Sequence, residues 1–335
     1  MNNWKNGTRL GLFVLFLSFT VSVLGQDFNK GGRTAYQFTK IGVGARQVAI
    51  GEATTALVKD VNGVFWNPAA ITGVEGLSVS VSYANWLADL NYSAAVVGYT
   101  WDGIGTFALS ATTLDYGELD EAMVTGQGGT SDARTGNTFT GGDMMIGLTY
   151  SKRFTDKLSI GLTGKYLQET LYKYTDNLYA FDIGTYYETG VKGITIGMSA
   201  QNFATESAQF LSEDLSDRGD QGYDIPLVFK VGTSVQLVGA SNGFVSLGNS
   251  NSLALSFDAQ NTNDYGERYN LGTEYWFSDF VALRAGYRFN YADGNLTFGF
   301  GINTEFAGKG VKIDYAFMNY KYLNAPHRFT VSFTL

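Results

Sequence analysis

Residues 327–335 read His-Arg-Phe-Thr-Val-Ser-Phe-Thr-Leu, and residues 295–302 read Asn-Leu-Thr-Phe-Gly-Phe-Gly-Ile. In the first stretch Phe329, Val331, Phe333 and Leu335 alternate with Arg328, Thr330, Ser332 and Thr334. In the second, Leu296, Phe298, Phe300 and Ile302 alternate with Asn295, Thr297, Gly299 and Gly301. Val281, Leu283, Ala285, Tyr287 and Phe289 repeat the pattern against Ala282, Arg284, Gly286, Arg288 and Asn290. Successive side chains of a strand point to opposite faces, so each stretch has one apolar and one polar or small face. A soluble sandwich also alternates, but it seldom carries so many large aromatics with so few charges between them.

Working toward the N-terminus, the same period of two recurs in fourteen segments: roughly 76–83, 92–101, 104–114, 142–153, 157–171, 177–188, 193–202, 225–237, 252–261, 267–277, 280–290, 295–306, 310–319 and 326–335. Most are long enough to cross a bilayer, which takes about 9–11 tilted residues. The even number suits a closed bacterial outer-membrane barrel. The connections agree. Trp101-Asp102-Gly103, Thr155-Asp156-Lys157, Thr189–Lys192, Ser278-Asp279 and Ala307-Gly308-Lys309 are short turns, placed where periplasmic turns belong. Gly239–Asn251 is longer and breaks the pattern, while Asp115–Gly141 and Phe203–Asp224 read as long extracellular loops. The expected fold class is therefore all-β: a transmembrane antiparallel barrel of fourteen strands over 76–335. Its apolar face meets lipid, and Tyr83, Tyr99, Trp101, Tyr150, Tyr166, Tyr187, Tyr287 and Tyr291 are expected in the interfacial girdles.

Composition excludes most other classes. Aromatic residues make up 15% of the 335 residues and charged residues only 16%, against about a quarter charged in soluble domains. Mean hydropathy is −0.06, so apolar residues are diluted rather than gathered into the blocks a helical bundle needs. There is no Cys and one His, which removes disulfides, thiolate chemistry and multi-His metal centres. The only continuous apolar run is Leu10–Leu24, preceded by Lys5 and Arg9 and followed by Gly25, the anatomy of a cleaved signal peptide over 1–25. Its removal takes the net charge from −8 to −10. An acidic exported chain has no basic surface for nucleic acid. The expected location is the outer membrane.

Residues 26–75 lack clean alternation. They contain Gly42-Val-Gly-Ala-Arg-Gln-Val-Ala-Ile-Gly-Glu-Ala53 and Val58-Lys-Asp-Val-Asn-Gly-Val-Phe-Trp-Asn-Pro-Ala-Ala-Ile71. Small residues permit close packing, and Pro68 extends Asn67 and can open a short helix. The segment is placed to fold into the barrel mouth as a plug. These two stretches resemble the N-terminal signature of the PorV/PorQ family, outer-membrane proteins associated with type IX secretion that share the fourteen-stranded barrel of the FadL fatty-acid transporters. The Asn67-Pro68-Ala69 element also resembles the plug of FadL-like transporters.

Trp66, Asn67 and Pro68 are candidates for a movable gate, but a fixed plug whose Asn satisfies lumen backbone groups is the favoured reading. Lys165, Asp182, Lys230, Asp258, Arg268, Glu274, Arg284, Arg288, Lys312, Asp314 and Arg328 fall on the lumen register, and mixed signs favour a paired network over a selective eyelet. Asp258, Glu274, Arg284, Arg288, Lys312 and Asp314 are its expected members. His327, beside Pro326, has no Gly-x-Ser-x-Gly partner, so no enzyme and no catalytic residue is expected. The acidic stretch Glu213–Asp220 lacks EF-hand spacing, and Gly126–Gly129 lies in no strand–helix phosphate cradle. No cofactor or metal is expected.

Three functions remain, one of them a purely structural barrel without cargo or ligand. The resemblance implies a secretion accessory that docks exported cargo proteins or a larger translocon barrel, with Asp115, Tyr116, Phe203 and Phe210 as candidate loop contacts. The alternative is a FadL-like transporter of hydrophobic small molecules, for which Met145, Leu167, Tyr186, Trp276 and Met318 are scattered apolar candidates on the lumen register.

Overall fold

The computed structural model describes residues 31–124, 132–208, 222–239, 243–245 and 250–335. Phe210, the signal segment, Glu213–Asp220 and Gly126–Gly129 lie outside the described residues. The strands are β1 (Leu77–Asn85), β2 (Asn91–Trp101), β3 (Gly105–Val124), β4 (Asp132–Arg153), β5 (Leu158–Leu171), β6 (Tyr174–Glu188) and β7 (Thr195–Ala204). They continue as β8 (Val228–Val238), β9 (Ser252–Thr262), β10 (Arg268–Phe277), β11 (Val281–Phe289), β12 (Leu296–Phe306), β13 (Lys309–Asn319) and β14 (His327–Thr334). Each pairs antiparallel with its sequence neighbours, and β1 closes on β14, with Val81 opposite Val331 and Tyr83 opposite Phe329. Closure satisfies the backbone groups of every strand, which hydrocarbon demands.

The alternation becomes two surfaces. Val81, Leu109, Leu148, Leu162, Phe298 and Phe329 stand exposed on the outer wall, while Ser80, Ser110, Thr149, Thr163, Thr297 and Thr330 are buried facing the lumen. At the lower rim Tyr99, Trp101, Phe107 and Tyr150 form a chain of ring contacts, two T-shaped and one tilted, with centroids 5.2, 5.9 and 4.8 Å apart. Tyr291 corrects the girdle assignment: it lies inside, with its ring centroid 4.4 Å from the Arg268 guanidinium and 3.8 Å from that of Arg288.

The expected loop Asp115–Gly141 is also corrected. Its flanks are strand: Glu118 pairs with Thr140, Leu119 with Phe139 and Met123 with Ala133, after register shifts at 115/118 and 120/122. Residues on this ribbon need no lipid-facing side, so they lack the apolar alternation that betrays a membrane strand. Asp115 and Tyr116 therefore sit on β3 rather than in a loop.

The segment ahead of β1 fills the lumen. It carries one α-helical turn, α1 (Ala45–Ala49), and short 3₁₀ turns at Gln37–Lys40, Val61–Phe65 and Pro68–Gly73. Two of these turns are capped from the sequence. The Asp60 side chain accepts from Asn62 N and that of Asn67 from Ala69 N, with Pro68 at the first helical position.

Candidate functional site

The plug is held by close backbone contact with the wall. Three cross-strand glycine pairs face it: Gly161 with Gly184, Gly197 with Gly232, and Gly272 with Gly286. A Cβ at Gly161 would lie 2.3 Å from Pro68 C, and one at Gly184 would lie 2.1 Å from Asn67 Oδ1. The second pair seats Thr55, whose carbonyl oxygen would be 2.1 Å from a Cβ at Gly197. The third seats Ile50 and Gly51, and Gly51 itself has a φ of 66°, so its backbone can turn where a Cβ would be strained. Sequence reasoning missed these sockets. Their signal was glycine recurring on the lumen register, where a polar residue would serve an open pore.

Asn67 is fully buried. Its Nδ2 donates to Thr55 O (2.9 Å) within the plug and to Thr185 O (3.0 Å) on β6, while Oδ1 accepts from Ala69 N (3.1 Å). Trp66 Nε1 donates to Val43 O at 2.9 Å, and Lys230 Nζ stands 4.5 Å from the Trp66 ring centroid. The arrangement ties Trp66-Asn67-Pro68 to both plug and wall. Asn67→Ala leaves two buried carbonyls without this donor at roughly 1–3 kcal/mol each. The expected loss is about 3 kcal/mol, read from urea unfolding in detergent micelles.

The lumen charges sort into two arrangements. Arg46 of α1 binds Glu274 on β10 through two bonds, Nε to Oε2 (2.8 Å) and Nη2 to Oε1 (2.7 Å), and reaches Asp60 at 2.8 Å. Arg284 on β11 then links Glu274 (2.7 Å) to Asp314 on β13 (2.7 Å). Burial alone would lower the Arg46 pKa, but Glu274 and Asp60 carry it above its ordinary value, so the plug's anchor stays charged. Arg288 lies 3.6 Å from Glu52. Two expected members behave otherwise. Asp258 is anchored to N–H and hydroxyl donors: Oδ2 accepts from Thr54 N (2.9 Å), Thr55 N (2.9 Å) and Thr55 Oγ1 (2.7 Å). Lys312 faces the inner vestibule, and no ion pair joins it to the network among the described residues. Register placed both on the right face, but strand position along the axis decided their partners.

The plug divides the lumen. On the periplasmic side lies a vestibule of about 640 Å³ bounded by Arg46, Asp60, Glu188, Trp276 and Lys312. On the extracellular side lies a pocket of about 650 Å³ bounded by Phe38, Trp86, Leu90, Leu114, Leu119 and Tyr116, with charged groups on opposite walls. Beneath its apolar lining sits a buried cluster that joins plug residues Tyr36, Phe38 and Val43 to wall residues Leu114, Met145, Leu167 and Leu178. Met145 and Leu167 are thus not scattered. They meet in this outer cluster, while Met318 packs on α1 and Tyr186 on Ala69 and Ala70. Four of the five apolar candidates lie against the plug, and the fifth, Trp276, lines the vestibule.

The three expected docking residues that are described make separate contacts. Tyr116 turns inward and donates to Asp143 Oδ2 (2.9 Å), Asp115 Oδ1 caps Gly117 N (2.9 Å), and Phe203 stacks on Phe229 of the neighbouring strand, 5.9 Å away.

No protein-family model and no curated protein matches the sequence. Solved structures do match in shape. The Pseudomonas putida toluene transporter TodX aligns with a TM-score of 0.57 at 12% identity, over 87% of this chain and 97% of that one. The Ralstonia pickettii toluene transporter TbuX gives 0.55 at 12% identity, again over 87% and 97%. The monoaromatic hydrocarbon channel CymD gives 0.53 at 13% over 88% and 96%. None of these comparisons supports the PorV/PorQ assignment in particular. At such identity the likeness speaks for architecture alone, and that architecture, with its apolar outer wall, is a closed fourteen-stranded β-barrel of the outer membrane.

Proposed function

We propose that the chain admits a hydrophobic small molecule to the outer pocket above the plug, as the first step of its passage across the outer membrane. The observation that carries this reading is the apolar lining of the 650 Å³ pocket and the buried cluster beneath it. Leu114 lines the pocket and Met145, Leu167 and Leu178 belong to the cluster it joins, whereas Val96, Tyr186 and Met318 pack on the plug elsewhere in the lumen. Apolar pockets with a few convergent polar groups are the usual form of small-molecule sites. That solved toluene transporters have a similar fold adds support of a coarser kind.

The secretion reading rests on the Gly42–Ile71 resemblance. Those residues form the plug itself, packed within the lumen, so the motif supports a plugged barrel without supplying a cargo surface.

Uptake of labelled ethylbenzene by cells that carry the chain, set beside cells that lack it, tests the proposal. Leu90→Lys puts a charge into the apolar lining, and uptake is expected to fall by about tenfold or more, given that a 1.4 kcal/mol penalty is already tenfold. Equal uptake with and without the chain, together with exported proteins co-purifying with it, would restore the secretion reading.

A further inference from the structure

One wall of the outer pocket lacks a counter-charge. Asp143 on β4 stands directly opposite Glu169 on β5, and Glu169 directly opposite Asp176 on β6. Three carboxylates thus form one row across three adjacent strands, an arrangement that is destabilising when like charges face each other. Their donors are neutral. Tyr116 Oη donates to Asp143 Oδ2 (2.9 Å), Tyr36 N to Glu169 Oε2 (2.8 Å) and Tyr36 Oη to Asp176 Oδ2 (2.8 Å). Burial and the Asp176 hydrogen bond both raise the Tyr36 pKa, so that hydroxyl remains an uncharged donor. Among the described residues no Lys or Arg forms an ion pair with any of the three. Asp143 is only 6% exposed, lines the pocket, and its Oδ1 has no hydrogen-bond partner.

The opposite wall differs. Lys40 pairs with Asp264, Arg288 lies 3.6 Å from Glu52, and Arg268 and Arg288 stack on Tyr291 at 4.4 and 3.8 Å. The charge that the Asp143–Glu169 wall lacks is positive. A metal ion is a poor candidate, because no three His, Cys, Asp or Glu among the described residues converge as ligands. The remaining lining is apolar: Phe38, Trp86, Leu90 and Leu114.

We propose that the outer pocket recognises an organic cation, a protonated amine on a small apolar body, with the Asp143 and Glu169 carboxylates that line one wall attracting the ammonium. This rests on the pocket being a small-molecule site, as proposed above, and adds the chemistry of the molecule's polar end. A buried carboxylate left unpaired is costly, and a charge-assisted hydrogen bond relieves it.

The test compares 2-phenylethylamine, ethylbenzene and 3-phenylpropanoate as ligands of the full chain in detergent micelles, by calorimetry at neutral pH. The amine is expected to bind at least about tenfold more tightly than ethylbenzene, a modest return for one charge-assisted bond. Asp143→Asn should erase that preference, and heat-modifiable mobility on gels equal to that of the unaltered chain shows that the variant is folded. Should Asp143→Asn fail to fold, Glu169→Gln is read instead and is expected to narrow the preference severalfold. Equal affinity for amine and ethylbenzene, or tighter binding of the carboxylate, overturns the amine proposal and leaves the apolar pocket standing. Binding of none of the three overturns both.

Discussion

Gly286→Val is expected to expel the plug and leave the barrel closed. The added Cβ would lie 2.1 Å from Gly51 N, 2.4 Å from Ile50 C and 2.5 Å from Gly51 Cα, all backbone atoms that cannot swing aside. Its partner Gly272 presses on Ile50 O in the same way, so the plug cannot slide along the wall to escape. Overpacking of a close-packed site costs about 1–3 kcal/mol where side chains can adjust, and with backbone on both sides the upper end or more applies. The strand itself tolerates the change, since valine suits a pleated, half-buried surface. The variant should therefore keep its heat-modifiable mobility on gels, while protease reaches residues 45–74 and planar-bilayer conductance rises well above that of the unaltered chain. Unchanged protection together with unchanged conductance would mean that the glycine sockets do not hold the plug.

Arg284→Met should cause the largest loss of stability among single changes in the lumen. Arg284 is fully buried and shared between Glu274 and Asp314, both also buried. Methionine fills much of its volume but leaves Asp314 without its cation, and Glu274 retains only Arg46. Removing one partner from a buried ion pair costs about 3–5 kcal/mol. Adding Glu274→Gln and Asp314→Asn to Arg284→Met should recover a large part of that loss, because neutral amides bear burial far better than lone carboxylates. The measurement is a urea series in micelles for the single and combined variants, read as a coupling energy. A single-variant loss below about 1 kcal/mol, the level of an ordinary surface change, would show that the network is solvated in the membrane-embedded chain.

The barrel was legible in the sequence because its determinant is local. Each membrane strand must present a lipid face and a lumen face, so Phe329, Val331 and Phe333 alternate with Thr330, Ser332 and Thr334 whatever the neighbours do. The same reasoning fails where a strand leaves the lipid. Glu118–Val124 and Asp132–Thr140 are also paired, across a register shift, yet no lipid imposes alternation on them, and they read as a loop. Tyr291 fails for a related reason: ring chemistry suits a girdle or a guanidinium contact equally well, and only its placement against Arg268 and Arg288 distinguishes them.

For the candidate site, sequence register determined which residues face inward, including Asp258, Glu274, Arg284, Arg288, Lys312 and Asp314. It could not set their heights along the barrel axis relative to a plug whose path has no period. The tertiary structure decided that Glu274 meets Arg46, that Asp258 caps Thr54 and Thr55, that Lys312 meets neither, and that Met145 and Leu167 join Tyr36 and Phe38. It also decided that paired glycines, not polar side chains, receive the plug. Register is a property of successive residues and travels with the chain. Partnership across a lumen depends on contacts such as Arg46 to Glu274, 228 residues apart, which exist only once the barrel has closed.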